Sequence, residues 1–170
     1  MLGTSTVARG SLRMELFALL KFLHIGALFF AVALAISGEI VVRRVAASRD
    51  VRSIRTVVER VRPLAGTGAN IFFLAGIAFG FLAAITGQFD LLRPWLILAY
   101  LAVAAAFVIG GTIIDPWVER LGRTAAASAE DRPSDDLLQV IGDPRARYGS
   151  VALMVLITFL IFDMVVKPLG

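Results

Sequence analysis

Residues 64–86 and 95–114 run without a single charged side chain. A helix needs roughly 20 mostly apolar residues to cross a bilayer, so each of these stretches is long enough. Two further stretches follow the same pattern. Residues 16–42 are apolar except for Lys21, His24, Ser37 and Glu39, and residues 149–166 carry only Asp163 as a charge. The runs are too long for strands, rich in Ala and Leu, and without alternation. In hydrocarbon the backbone must satisfy its own polar groups, which also selects helices. The pattern predicts an all-α membrane four-helix bundle in one domain. Its spans fall at about 16–42, 64–86, 95–114 and 145–166, with loops at 43–63 and 115–144.

Composition supports the same class. The 170 residues are 58% apolar and only 18% charged, with a mean hydropathy of +0.83. A soluble domain carries about 25% charged residues. With no cysteine, disulfides, thiolate metal sites and a cysteine nucleophile are excluded. Arg9 and Arg13 followed by an apolar run and Ala31-Val-Ala33 have the outline of a signal peptide. The run continues to Val42 and then meets Arg43-Arg44, which reads as a first span with a stop-transfer end.

The net charge of +4 is a topology signal. Arg43, Arg44, Arg49, Arg52, Arg55, Arg60 and Arg62 lie between the first two spans, and five more arginines lie between the last two. The opposite side has Arg9, Arg13, Lys21, Arg93 and Lys167. Twelve against five makes the larger loops cytoplasmic and puts both termini outside, in a multi-pass arrangement. Nucleic acid is not needed to explain the basic excess.

Val51, Ile54, Val58 and Val61 recur at helical spacing opposite the arginines. They predict an amphipathic helix that lies on the membrane or continues a span, its Arg43–Arg62 face toward anionic lipid headgroups. Pro63 marks its junction with the second span. Asp115-Pro116 and Asp143-Pro144 read as a helix cap followed by a first-turn proline. They predict a helix over 116–128 and a fourth span starting near Pro144. A short helical turn is expected over Asp135–Ile141, and the 115–144 loop reads as solvated rather than paired with the arginines.

Small residues recur every four positions: Ala27, Ala31 and Ala35; Gly76, Gly80 and Ala84; Ala102, Ala106 and Gly110. Such rows let helices approach closely in lipid, chiefly within this chain on the present reading. The short connection 87–93 makes the second and third spans antiparallel neighbours. Thr67 and Asn70 are suited to hydrogen bonds across helices.

Ionisable groups within spans are the default candidates for chemistry. Lys21 and His24 share a helix face, and with Asp163 they fall within about two turns of the outer boundary. His24 and Asp163 form a possible polar pair there, able to shuttle a proton or orient a metal ligand. The structural alternatives are a snorkelling Lys21, an Asp163 that reaches water, and a His24 bonded to a carbonyl. Glu39 pairs with Arg43 one turn on. One histidine cannot supply bis-His haem ligation, but His24 with Lys21, Met14, Met154 or Met164 can supply two donors. No zinc signature or phosphate loop is present, and Gly66-Thr-Gly68 follows no strand.

Leu20-Lys-Phe-Leu-His-Ile-Gly26 and Met164-Val-Val-Lys-Pro168 carry a resemblance. The chain resembles a family of four-span bacterial integral membrane proteins of unknown function. It is similar in outline to the membrane domain of copper-resistance protein D and to HemJ-type protoporphyrinogen oxidases. The resemblance implies a bacterial inner-membrane location, and by the HemJ pattern haem at His24. The second ligand has no matching position, so no activity is carried over. Three functional readings follow. The first is a non-enzymatic packing or accessory component, as a homo-oligomer or within a larger membrane complex. The second is a haem- or metal-binding redox protein, with His24, Lys21 and Met164 as candidate ligands. The third is copper or small-solute transport by an oligomer.

Overall fold

The computed structural model describes the backbone over residues 3–168 and side chains over 11–168. The side chain of Arg9, counted above in the charge asymmetry, lies outside the described residues. No strand occurs among the described residues, and four helical stretches are long and apolar enough to cross a membrane. The first is α1 (Gly3–Ser48), which runs unbroken well past the predicted 16–42. The second joins α2 (Val51–Thr56) to α3 (Arg62–Thr86) through a π-helical turn, Val57–Val61. The third joins α4 (Pro94–Ile109) to α5 (Asp115–Ala127) through another, Gly110–Ile114. Then come the short α6 (Asp135–Ile141) and the final α7 (Pro144–Val166). The segment 51–61 therefore continues the second helical stretch rather than forming a separate helix lying on the membrane.

Both π-turns have one cause. Arg62-Pro63 and Asp115-Pro116 fall inside continuous helices, where proline lacks its N–H and crowds the carbonyl four residues back. The backbone answers by widening one turn before each proline. The N–H of Arg62 bonds the carbonyl of Val57, and that of Asp115 bonds Gly110. Neither proline ends its helix, contrary to the junction expected at Pro63 and the helix start expected at Asp115. Asp115 caps nothing; its carboxylate pairs with Arg62 instead. Asp143 and Ser134 do cap, accepting the N–H groups of Arg145 at 2.9 Å and Leu137 at 3.2 Å.

The apolar helices pack as two intimate antiparallel pairs. In the first, α1 lies against α3 with Gly38 opposite Ala65, Gly68 opposite Leu34 and Gly76 opposite Leu28. A Cβ on Gly76 would sit 2.6 Å from a Leu28 methyl carbon, so only glycine permits this approach. In the second pair, α4 buries Trp95, Leu96, Ala99 and Ala102 and α7 buries Asp163, while Gly149 of α7 lies against Ile113 and Ile114. α3 and α4 are antiparallel across the 87–93 turn, but aromatic rings rather than backbones bridge them. Phe81 stacks on Tyr100 at 5.6 Å, and Phe73 meets Phe107 edge-on at 5.3 Å. The rows of small residues are used in part. Ala27, Ala31, Gly76, Ala84 and Ala102 are buried, Ala35 is exposed, and Gly110 faces open space.

The arginine-rich end is a packed layer, not a solvated one. Val42 and Ala46 of α1, Val51 and Ile54 of α2, Trp117, Val118, Leu121 and Ala125 of α5, Leu137 of α6 and Ala146 of α7 form one core. Val51 and Ile54 thus bury their stripe in protein rather than lipid, while Val61 stays exposed. Arg55 donates to the carbonyls of Ala125 at 2.9 Å and Ser128 at 2.6 Å, closing the last turn of α5. Arg52 and Arg55 both reach Glu130, and Arg62 reaches Asp115. The 115–144 loop, expected to be solvated rather than paired with the arginines, is joined to the 43–63 segment because their apolar stripes face each other, which brings the charges into range.

Candidate functional site

Three polar constellations punctuate the apolar helices. At the loop end, Glu39 and Arg43 sit one turn apart on α1 and pair at 2.6 Å. Arg43 also donates to the carbonyl of Ala146 at 2.8 Å and lies 4.9 Å from the centre of the Trp117 ring. The Ser150 hydroxyl accepts from Arg43 and donates to Glu39 Oε1, each at 2.5 Å. This knot ties α1, α5 and α7 together where the apolar spans end. The i,i+4 pair was visible in the sequence. Its partners Ser150 and Trp117 lie 107 and 74 residues from Arg43 in chain order and carry no local signal.

The second site is His24. The Gly76 carbonyl can only accept, so His24 Nδ1 is the protonated nitrogen, donating at 2.7 Å. A Cβ on Gly80 would stand 2.7 Å from that nitrogen, so Gly80 is the space in which the imidazole lies. In the neutral tautomer Nε2 keeps a free lone pair, and no donor reaches it among the described residues. The ring is level with Gly80, six residues before the end of α3, about 9 Å from that end at 1.5 Å per residue.

The third is at the hairpin end, around Asp163. This side chain is fully buried, and neither carboxylate oxygen has a hydrogen-bond partner. The indole N–H of Trp95 is buried and unpartnered as well. Lys167, the left-handed cap of α7 (φ 48°), folds its ammonium over Trp95 at 5.2 Å and Phe89 at 5.3 Å. Phe89 in turn packs edge-on against Phe17 at 5.9 Å. Lys167 thus covers this end without closing an ion pair to Asp163. An isolated ionised carboxylate is costly in such a place, so Asp163 calls for a proton, a cation or a donor.

The possible His24–Asp163 pair is not formed: His24 belongs to the α1–α3 seam and Asp163 to the α4–α7 seam. Asp163 is also sealed from solvent rather than reaching it. Lys21 is exposed on the N-terminal half of α1, and Met14 and Met154 are exposed. No hydrogen bond links His24 to Lys21 or Met164. No group of three or more His, Cys, Asp or Glu side chains converges among the described residues. The structure therefore offers one oriented imidazole, with no group of further His, Cys, Asp or Glu ligands gathered around it among the described residues. Thr67 and Asn70, one turn apart on α3, are exposed, and neither side chain makes a hydrogen bond across helices among the described residues. The helix faces alone did not reveal this.

Comparison with protein-family models, with curated proteins and with solved structures finds no match to this chain.

Proposed function

We propose that this chain is a non-enzymatic component of a membrane assembly, docking a transmembrane helix of a neighbouring polypeptide against α3. The supporting observation is the exposed, unbonded pair Thr67 and Asn70 within a span. An amide in hydrocarbon is costly without a partner, and an interhelical bond there contributes about 0.6–2 kcal/mol. In this reading the arginine-rich end is cytoplasmic and both termini are outside. Arg44, Arg49 and Arg60, which make no ion pair among the described residues, are left to meet anionic headgroups.

The test uses the absence of native cysteine. In native membranes, Asn70→Cys carrying a photo-crosslinker should give a discrete larger species, and Val155→Cys on α7 should not. A monomer alone from both positions would sink the proposal. A reporter fused after Gly170 should be active outside the cytoplasm, and cytoplasmic activity would reverse the orientation.

A second reading keeps His24 as a haem or metal ligand. Its support is the Nδ1–H bond to Gly76, because ligating histidines characteristically donate their other ring N–H to a carbonyl or carboxylate. The remaining donor would have to come from outside the described contacts. A visible chromophore in the purified protein, lost in His24→Ala, would establish it. A colourless protein after haem-replete expression would remove it.

A further inference from the structure

Beside the α4–α7 seam, at the loop end, the structure holds a groove of about 560 Å³. Small-molecule sites run from about 300 to 1,000 Å³, so it is large enough to hold part of a ligand. Its walls change character along its length. Ile109 and Ile113 from the end of the third span, with Ala152 from α7, make an apolar floor. Arg120, Arg145 and Tyr148 make a polar rim just beyond the point where both helices leave their apolar runs.

The rim charges are not equivalent. Arg120 is held at 2.8 Å by Asp143, whose other oxygen accepts the N–H of Arg145. The Arg145 guanidinium itself closes no ion pair among the described residues, and Tyr148 is 73% exposed. With Asp143 offset by Arg120, the rim keeps one uncompensated positive charge directly above the apolar floor.

The geometry points to a binding site for one anionic glycerophospholipid, its phosphodiester on Arg145 and an acyl chain laid along Ile109, Ile113 and Ala152. An amphiphile of the surrounding leaflet matches both halves of the groove, and basic pockets between transmembrane helices select anionic headgroups. A soluble phosphate would satisfy the rim and leave the floor empty. An acidic peptide has no chain suited to lie between helices at hydrocarbon depth. The site is distinct from the helix-docking face on α3.

The experiment is native mass spectrometry of the whole, delipidated protein in detergent, titrated with phosphatidylglycerol, phosphatidylcholine or glycerol phosphate. One phosphatidylglycerol should be retained per chain in preference to the other two. Arg145→Gln should weaken retention about fivefold, the equivalent of about 1 kcal/mol for one basic contact. Ala152→Phe, which fills the floor without touching the charge, should weaken it at least as much. Arg147→Gln, outside the groove, should leave it unchanged. Melting of each variant in lipid-free detergent serves as the folding control. Equal retention by wild type and both groove variants would overturn the assignment. Phosphatidylcholine held as well as phosphatidylglycerol would also overturn it, and so would glycerol phosphate competing on equal terms.

Discussion

Arg62 and Asp115, fifty-three positions apart in sequence, meet at 2.7 Å. Each is the first residue after a π-turn and the residue before a proline. The ion pair joins the two places where helices leave the membrane-length stretches and enter the loop-end layer. Both side chains keep contact with solvent, so the pair itself contributes about 0.2–1 kcal/mol. A double-mutant cycle on Arg62→Ala and Asp115→Ala, read by thermal melting, should return coupling within that range. The exchanged pair Arg62→Asp with Asp115→Arg should recover part of the loss. Coupling of zero would leave the prolines alone responsible for the junction.

The glycines of the second and third spans should respond in opposite ways. Gly80→Ala pushes a methyl group into the imidazole of His24 and disturbs its bond to Gly76, at a cost of about 1–3 kcal/mol. Gly110→Ala meets nothing and should be neutral or stabilising by up to about 1 kcal/mol. Melting temperatures in one detergent give the comparison. Equal shifts would contradict the α1–α3 seam described above.

Trp117 anchors the loop-end core. It is 1% exposed, and its indole N–H donates to the Val140 carbonyl at 2.9 Å. Trp117→Ala should destabilise this layer by about 3–5 kcal/mol. Trp117→Phe keeps much of the volume and should cost less, chiefly the hydrogen bond at about 1 kcal/mol. Limited proteolysis with trypsin is the readout, because the layer is rich in arginine. Unchanged cleavage in Trp117→Ala would mean that the layer does not fold as one unit.

Asp143 predicts an acid limit. Burial alone would raise its pKa, but the Arg145 N–H bond, the Arg120 bond and both positive charges outweigh it and hold the carboxyl below the ordinary carboxylate value. A depressed folded pKa means the stabilisation is present above the unfolded value and is lost as pH falls through the folded one. Melting temperature should therefore drop below about pH 3.9, the ordinary carboxylate value, and less so in Asp143→Asn. Identical acid profiles would show that the α7 cap does not govern this limit.

The spans were legible because hydropathy over twenty residues is a strong signal, and the short α6 because Gly142 stops it, while its Ser134 cap emerges from the structure. The loop-end layer was not. The stripe of Val51 and Ile54 shows that a face is buried, but not against what, and seven nearby arginines favoured a membrane surface. The missing partner was a second stripe, Trp117, Leu121 and Ala125 at four-residue spacing, whose meaning emerges only when the two are set side by side. Pro63 and Pro116 were read as boundaries because proline normally ends a helix, and a π-turn leaves no residue signature. His24 and Asp163 stood out as residues. Their assignment to different seams depends on which helices pair most closely, and the short 87–93 connection makes α3 and α4 antiparallel neighbours without saying which pairs pack tightest.

α1 differs mechanically from its companions. Over Ser11–Ser48 it has no proline and no π-turn, and those 38 residues span about 57 Å. It is fastened near one end by Arg13 to the carbonyl of Thr86, farther along by His24 to Gly76, and near the other end by Arg43 to Ala146. The second and third helical stretches each contain a π-turn before a proline, whereas α1 has neither over Ser11–Ser48. A helix fastened at both ends in this way sets the separation between the hairpin end and the arginine-rich end of the bundle.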